Sequence, residues 1–133
     1  MRLVFSLLTL AILALGGCAS NGAVRMVDLM DSGRPSKVTV ATGDSIELAL
    51  VENPSTGWTW KSQSTLDGIL RSDGDRFVRD AANDGMVGVG GKRVFDYTAL
   101  KVGQVSLEFA LVGPGQPVKA SDHRMKAIID VAD

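Results

Sequence analysis

The chain has 133 residues, with 14 basic and 15 acidic side chains and a formal net charge of −1. That length suits one domain of ordinary size, and the near-neutral balance offers no basic patch of the kind nucleic-acid recognition needs. A single cysteine excludes an internal disulfide.

After Arg2, the run from Leu3 to Leu15 is apolar apart from Ser6 and Thr9, and Gly16-Gly17-Cys18 follows. This is too short for a helix across about 30 Å of hydrocarbon, which takes about 20 residues. A positive start, a short apolar region and small residues before a break predict an export signal over residues 1–17. A buried core helix is the competing reading. Leu15-Gly16-Gly17-Cys18 resembles the lipobox of bacterial lipoproteins. That resemblance implies that Cys18 is lipidated and becomes the new N-terminus, leaving residues 18–23 as a lipidated, small and polar tether. It also implies an extracytoplasmic place, lipid-anchored in a bacterial cell envelope, on the outer membrane or a periplasmic face. Nothing after Cys18 is long and apolar enough to span a bilayer.

Residues 24–133 are then the folded domain, and its pattern has period two. The candidates in chain order are Val24–Leu29, Lys37–Ala41, Ile46 to Leu50, Trp58–Ser62, Arg76–Arg79, Arg93–Ala99, Val105 to Leu111 and Met125 to Val131. The third, seventh and eighth show clear alternation, as in Ile46, Leu48 and Leu50 against Glu47 and Ala49, which predicts strands with one buried face. Gly33-Arg34-Pro35, Thr42-Gly43-Asp44, Asp73-Gly74-Asp75, Asn83-Asp84-Gly85, Val102-Gly103 and Gly113-Pro114-Gly115 read as the breaks between them. Asp80 to Asn83 allows one helical turn. Seven or eight short strands predict an all-β sandwich.

Chemistry-bearing constellations are sparse. Gly85 to Lys92 is rich in glycine, but a phosphate-binding loop needs glycine where Met86 stands and Ser or Thr where Arg93 stands. Asp73, Asp75, Asp80 and Asp84 suggest calcium at first sight. Phe77 and Arg79 occupy places where oxygen ligands are needed, so a solvated loop is expected and no metal. The one histidine, His123, adjoins Ser121 and Asp122, yet strand neighbours point to opposite faces, so a surface histidine is expected. No pair of carboxylates groups as acid and base. Neither an enzyme nor a cofactor is expected.

That leaves the loops. In Asn53-Pro54-Ser55-Thr56-Gly57, Pro54 fixes its own φ and keeps Asn53 extended. Ser55 and Thr56 can brace the backbone, and Gly57 admits a positive φ. A stiff protruding turn follows. Trp58 and Trp60 fall on one face if the strand behind it is regular, and one or both would bury aromatic area at the turn's base.

Asn53-Pro54-Ser55-Thr56-Gly57-Trp58-Thr59-Trp60 closely resembles the NPTTG-aromatic-x-Trp motif of the chagasin family of cysteine peptidase inhibitors, with Ser55 where the family usually has Thr. Gly88-Val89-Gly90-Gly91 matches that family's GxGG loop in order and spacing. The resemblance covers about Val24 to Asp133 and implies an immunoglobulin-like β-sandwich whose loops at one end occlude the cleft of a papain-like cysteine peptidase. It implies a reversible, monomeric inhibitor. By this resemblance Asn53 to Gly57 enter near the catalytic groups and Gly88, Val89, Gly90 and Gly91 lie along one wall. Trp58 is a contact or the turn's foot, and Trp60 belongs to the core. The family's third loop carries Arg-Pro-Trp. Here Pro114 matches, while Gly113 and Gly115 stand in place of the arginine and tryptophan, side chains typical of interface hot spots. The alternative function is an envelope lipoprotein that uses the same sandwich as a protein-interaction or structural module.

Overall fold

The computed structural model describes residues 22–81 and 90–133. The expected export signal over residues 1–17, Cys18 and the expected tether as far as Asn21 lie outside the described residues, as do Asn83-Asp84-Gly85, Gly88 and Val89.

Eight strands form the described chain: β1 (Val24–Asp28), β2 (Ser36–Ala41), β3 (Ser45–Glu52), β4 (Thr59–Ser62), β5 (Leu70–Arg79), β6 (Gly91–Ala99), β7 (Gly103–Val112) and β8 (Arg124–Ala132). They make two four-stranded sheets, ordered β1-β3-β6-β5 and β2-β8-β7-β4. The inner pairings are antiparallel, whereas the edge strands β1 and β2 run parallel to β3 and β8. The expected all-β sandwich is what the chain adopts. No described helix is long and apolar enough to cross a membrane.

The core follows the period of two. Ile46, Leu48 and Leu50 from β3, Leu107 and Phe109 from β7 and Ile129 from β8 are fully buried. Each contributes about 1.5–3 kcal/mol through removal from water. Phe95 of β6 meets Phe109 of β7 with ring centroids 4.6 Å apart and planes tilted by 42°, a contact that ties one sheet to the other.

Two readings from the sequence are corrected. Asp73-Gly74-Asp75 is not a turn between strands, and Asp73 and Asp75 do not belong to a solvated loop. β5 runs straight through them, with its register against β6 slipping between Ser72 and Gly74. The slip is a bulge, and its carboxylates are engaged. Asp73 accepts from Arg71 Nε at 2.8 Å and Thr98 Oγ1 at 2.5 Å, and Asp75 accepts from Arg93 Nη1 at 3.0 Å.

The second correction concerns the tryptophans. β4 begins at Thr59, one residue after Trp58, because Gly57 turns the chain with a φ of +77°. Trp60 is buried, but Trp58 is 46% exposed, so the two do not share a face.

The register places the connections. Glu52 is level with Gly91, which is level with Arg79, and Thr59 is level with Val112. The β3–β4, β5–β6 and β7–β8 connections therefore leave from one end of the sandwich.

Candidate functional site

The β3–β4 connection is closed by its own polar groups. Asn53 Oδ1 accepts from Ser55 N at 3.2 Å and Ser55 Oγ at 2.7 Å, and the Asn53 carbonyl accepts from Thr56 Oγ1 at 2.7 Å. Pro54–Thr56 forms a single 3-10 turn, ended by Gly57, whose N–H donates to the Pro54 carbonyl at 3.0 Å. Thr56 Oγ1 also accepts from Trp58 N at 3.3 Å. Asn at the cap, Pro at the first position and a left-handed residue at the end are the chemistry this local structure requires. All five residues from Asn53 to Gly57 thus lie in one compact turn, and its three central residues are exposed.

Beneath it sits Glu52, which sequence reasoning did not single out. Its side chain is only 1% exposed. The carboxylate accepts from Trp60 N at 2.9 Å, Thr59 Oγ1 at 3.1 Å and Arg93 Nη2 at 2.6 Å. Burial alone would disfavour the charge. The Arg93 guanidinium, the Trp60 amide and the Thr59 hydroxyl outweigh it and hold the carboxyl below its ordinary value. Arg93 in turn reaches Asp75 and lies 5.9 Å from the centroid of Phe77. Trp60 adds a second link by donating from Nε1 to the Val51 carbonyl at 2.9 Å. The signal for Glu52 was present in the sequence: it continues the Ile46, Leu48, Leu50 series, so its charge faces the core.

The β7–β8 connection lies against the turn. A Cβ placed on Gly57 would come within 3.0 Å of Pro114 Cβ, and one placed on Gly113 would lie 3.4 Å from Cζ2 and Cη2 of Trp58. The Trp58 indole therefore rests on the bare backbone of Gly113, which is buried, while Pro114 and Gly115 stay exposed. Val51, Thr56, Trp58 and Leu111 line an apolar hollow beside this contact. His123, at the root of the same connection, packs against Trp60 with ring centroids 5.8 Å apart and points Nε2 at Asp31, 3.3 Å away.

Of the glycine-rich stretch, Gly90 and Gly91 are described. Gly90 is partly buried beside the Glu52 carbonyl. Gly91 is buried within β6, where an added Cβ would lie 2.2 Å from the Val78 carbonyl oxygen and 2.7 Å from the Phe77 ring. Gly91 shapes the root of its loop and offers no surface. Among the described residues no group of three or more His, Cys, Asp or Glu side chains is arranged to hold a metal.

Residues 39–129 match the family described as Chagasin family peptidase inhibitor I42. Amoebiasin-1 of Entamoeba histolytica is 27% identical over 105 residues, which span 79% of this chain and 99% of that protein. Among solved structures, a cysteine protease inhibitor from Entamoeba histolytica superposes with a TM-score of 0.67 at 21% identity, covering 83% of this chain and 96% of that one. PbICP-C, solved in complex with falcipain-2, gives a TM-score of 0.57 at 10% identity, over 81% and 99% of the two chains. With a family match that spans most of the sandwich and both sheets in place, the chain belongs to the chagasin family of peptidase inhibitors.

Proposed function

We propose that the protein is a reversible inhibitor of papain-like cysteine peptidases and plugs the active-site cleft with the Asn53–Gly57 turn. The internal bonding of that turn carries the proposal. A peptidase cleaves a chain held extended across its cleft. Pro54–Thr56 is a tight 3-10 turn, and the Asn53 and Pro54 carbonyls are already engaged by Thr56 and Gly57. A turn ordered before docking gives up little conformational entropy on binding. It also presents no extended peptide bond to the catalytic thiolate, so the inhibitor blocks without being consumed.

Trp58 and Pro114 adjoin the turn on one side, and Gly90 lies beside the Glu52 carbonyl at its root; by the family resemblance Gly88, Val89 and Gly115 belong to the same contact surface. Gly91 and Gly113 act by leaving room, for Phe77 and Trp58 respectively. The falcipain-2 complex of PbICP-C supports this class of partner. The test is a same-length Gly/Ser replacement of residues 53–57. The unfolding midpoint should hold within a few degrees while inhibition is lost, and the native protein should emerge from incubation with peptidase at its intact mass. Retained inhibition in the replacement, or cleavage inside the turn, overturns the reading.

We further propose that the protein works at a bacterial envelope, held there through lipid on Cys18. The apolar run before Leu15-Gly16-Gly17-Cys18 supports this. Acyl chains contribute about 0.8 kcal/mol per buried methylene, so more than one chain gives stable anchoring. Cys18→Ala should move the protein out of the membrane fraction, and unchanged fractionation contradicts the anchor.

A further inference from the structure

We infer that Glu52 is the positioning residue of the inhibitory turn: its buried carboxylate fixes how Asn53–Trp58 stand relative to the root of the Gly90 loop. The inference rests on the inhibitory reading above. β3 belongs to one sheet and β4 to the other, so no backbone ladder holds Glu52 against Trp60. The carboxylate supplies that link, taking the Trp60 amide, the Thr59 hydroxyl and the Arg93 fork at once. Among the described residues β4 is an edge strand, and Trp60 N–H is taken by the Glu52 carboxylate and not by a strand partner. The chain from residue 52 to residue 60 is thereby closed into a ring with the turn at its far side.

Arg93 extends the link. It sits on β6 two residues after Gly91 and bonds Asp75 on β5, so one carboxylate joins the roots of two connections. Stability does not require a charge here. A buried ion pair is often no better than apolar side chains of the same volume, and Ile46, Leu48 and Leu50 show what the same face holds elsewhere. What leucine cannot do at position 52 is accept from three residues on two strands. An ionised, fully engaged carboxylate specifies one geometry, which a turn that must enter a narrow cleft needs.

The experiment compares wild type with Glu52→Gln and Glu52→Asp. The first keeps the size and loses the charge, and the second keeps the charge and loses one methylene of reach. Backbone 15N order parameters are measured on the free proteins, and inhibition constants against papain on the same samples. In wild type, Ser55 to Trp58 should have order parameters near the rigid value of about 0.85, falling below about 0.6 in both variants. Leu48, Leu107 and Phe109 should stay rigid, and the inhibition constant should rise at least tenfold. A turn that stays rigid in both variants overturns the inference, and so does a turn that loosens with no loss of inhibition. If Glu52→Gln fails to fold, Arg93→Lys, which keeps the ion pair but gives up the fork, reads the same quantities. If wild type inhibits no papain-like peptidase, the inhibitory reading falls, while the order parameters still decide whether Glu52 holds the turn.

Discussion

Trp58 packs against Gly113, with Cζ2 and Cη2 of its ring 3.4 Å from where a Cβ on that glycine would stand. The contact joins the β3–β4 and β7–β8 connections, and a side chain at position 113 would press on the indole. The aromatic surface at this end comes from the first loop, and the third supplies the floor beneath it.

The two tryptophans should therefore separate stability from inhibition. Trp60 is buried and bonded to the Val51 carbonyl, so Trp60→Ala should cost about 3–5 kcal/mol. Trp58→Ala, at a half-exposed site, should cost less than about 1 kcal/mol yet weaken peptidase inhibition severalfold, as loss of an interface aromatic does. Urea unfolding beside papain inhibition checks both.

Gly57 is the backbone hinge of the turn. A side chain there meets the left-handed penalty of about 1–2 kcal/mol, and its Cβ would press on Pro114. Gly57→Ala should lower stability by about that amount and weaken inhibition more than its stability loss explains, because Pro114 must move. Equal inhibition by the variant contradicts the coupling of the two loops.

Gly91→Ala places a methyl against the Val78 carbonyl and the Phe77 ring. Backbone cannot yield as a flexible side chain can, so a loss of about 1–3 kcal/mol is expected from overpacking. Thermal unfolding would show it, and an unchanged midpoint would show that Gly91 is not packed as described.

The pH dependence has a definite sign. Glu52 and Asp44 titrate below their ordinary values of 4.5 and 3.8. For Asp44 the cause is hydrogen bonding from the Ala41 and Ala23 amides. A carboxyl with a lowered folded-state value adds stability above its unfolded value and loses it as pH falls through the folded value. The urea midpoint should therefore hold from pH 7 down to about 5 and decline below the ordinary carboxylate range. Glu52→Gln should make that decline shallower. A variant that falls as steeply as wild type contradicts the assignment.

Much of the scaffold was legible in the sequence. β3, β7 and β8 alternate cleanly because each buries one face. The turn was legible because Asn, Pro and Gly act through local backbone geometry. The bulge was not: Asp73-Gly74-Asp75 carries turn chemistry, and nothing nearby reveals that Thr98 waits to receive Asp73. Trp58 was misplaced because period two applies only within a strand, and the positive φ at Gly57 puts it outside. Glu52 was visible as a charge on a core face. Its partner Arg93 lies 41 residues away, and only the β3–β6 register brings the two together.

The most direct measurement is a titration of papain with the purified protein at several concentrations of a competing peptide substrate. Occlusion of the cleft predicts reversible, competitive inhibition with a constant below about 1 μM, corresponding to a binding free energy stronger than about −8 kcal/mol. No inhibition of papain and other papain-like peptidases at about 100 μM, which bounds binding to weaker than about −5.5 kcal/mol, would contradict the account.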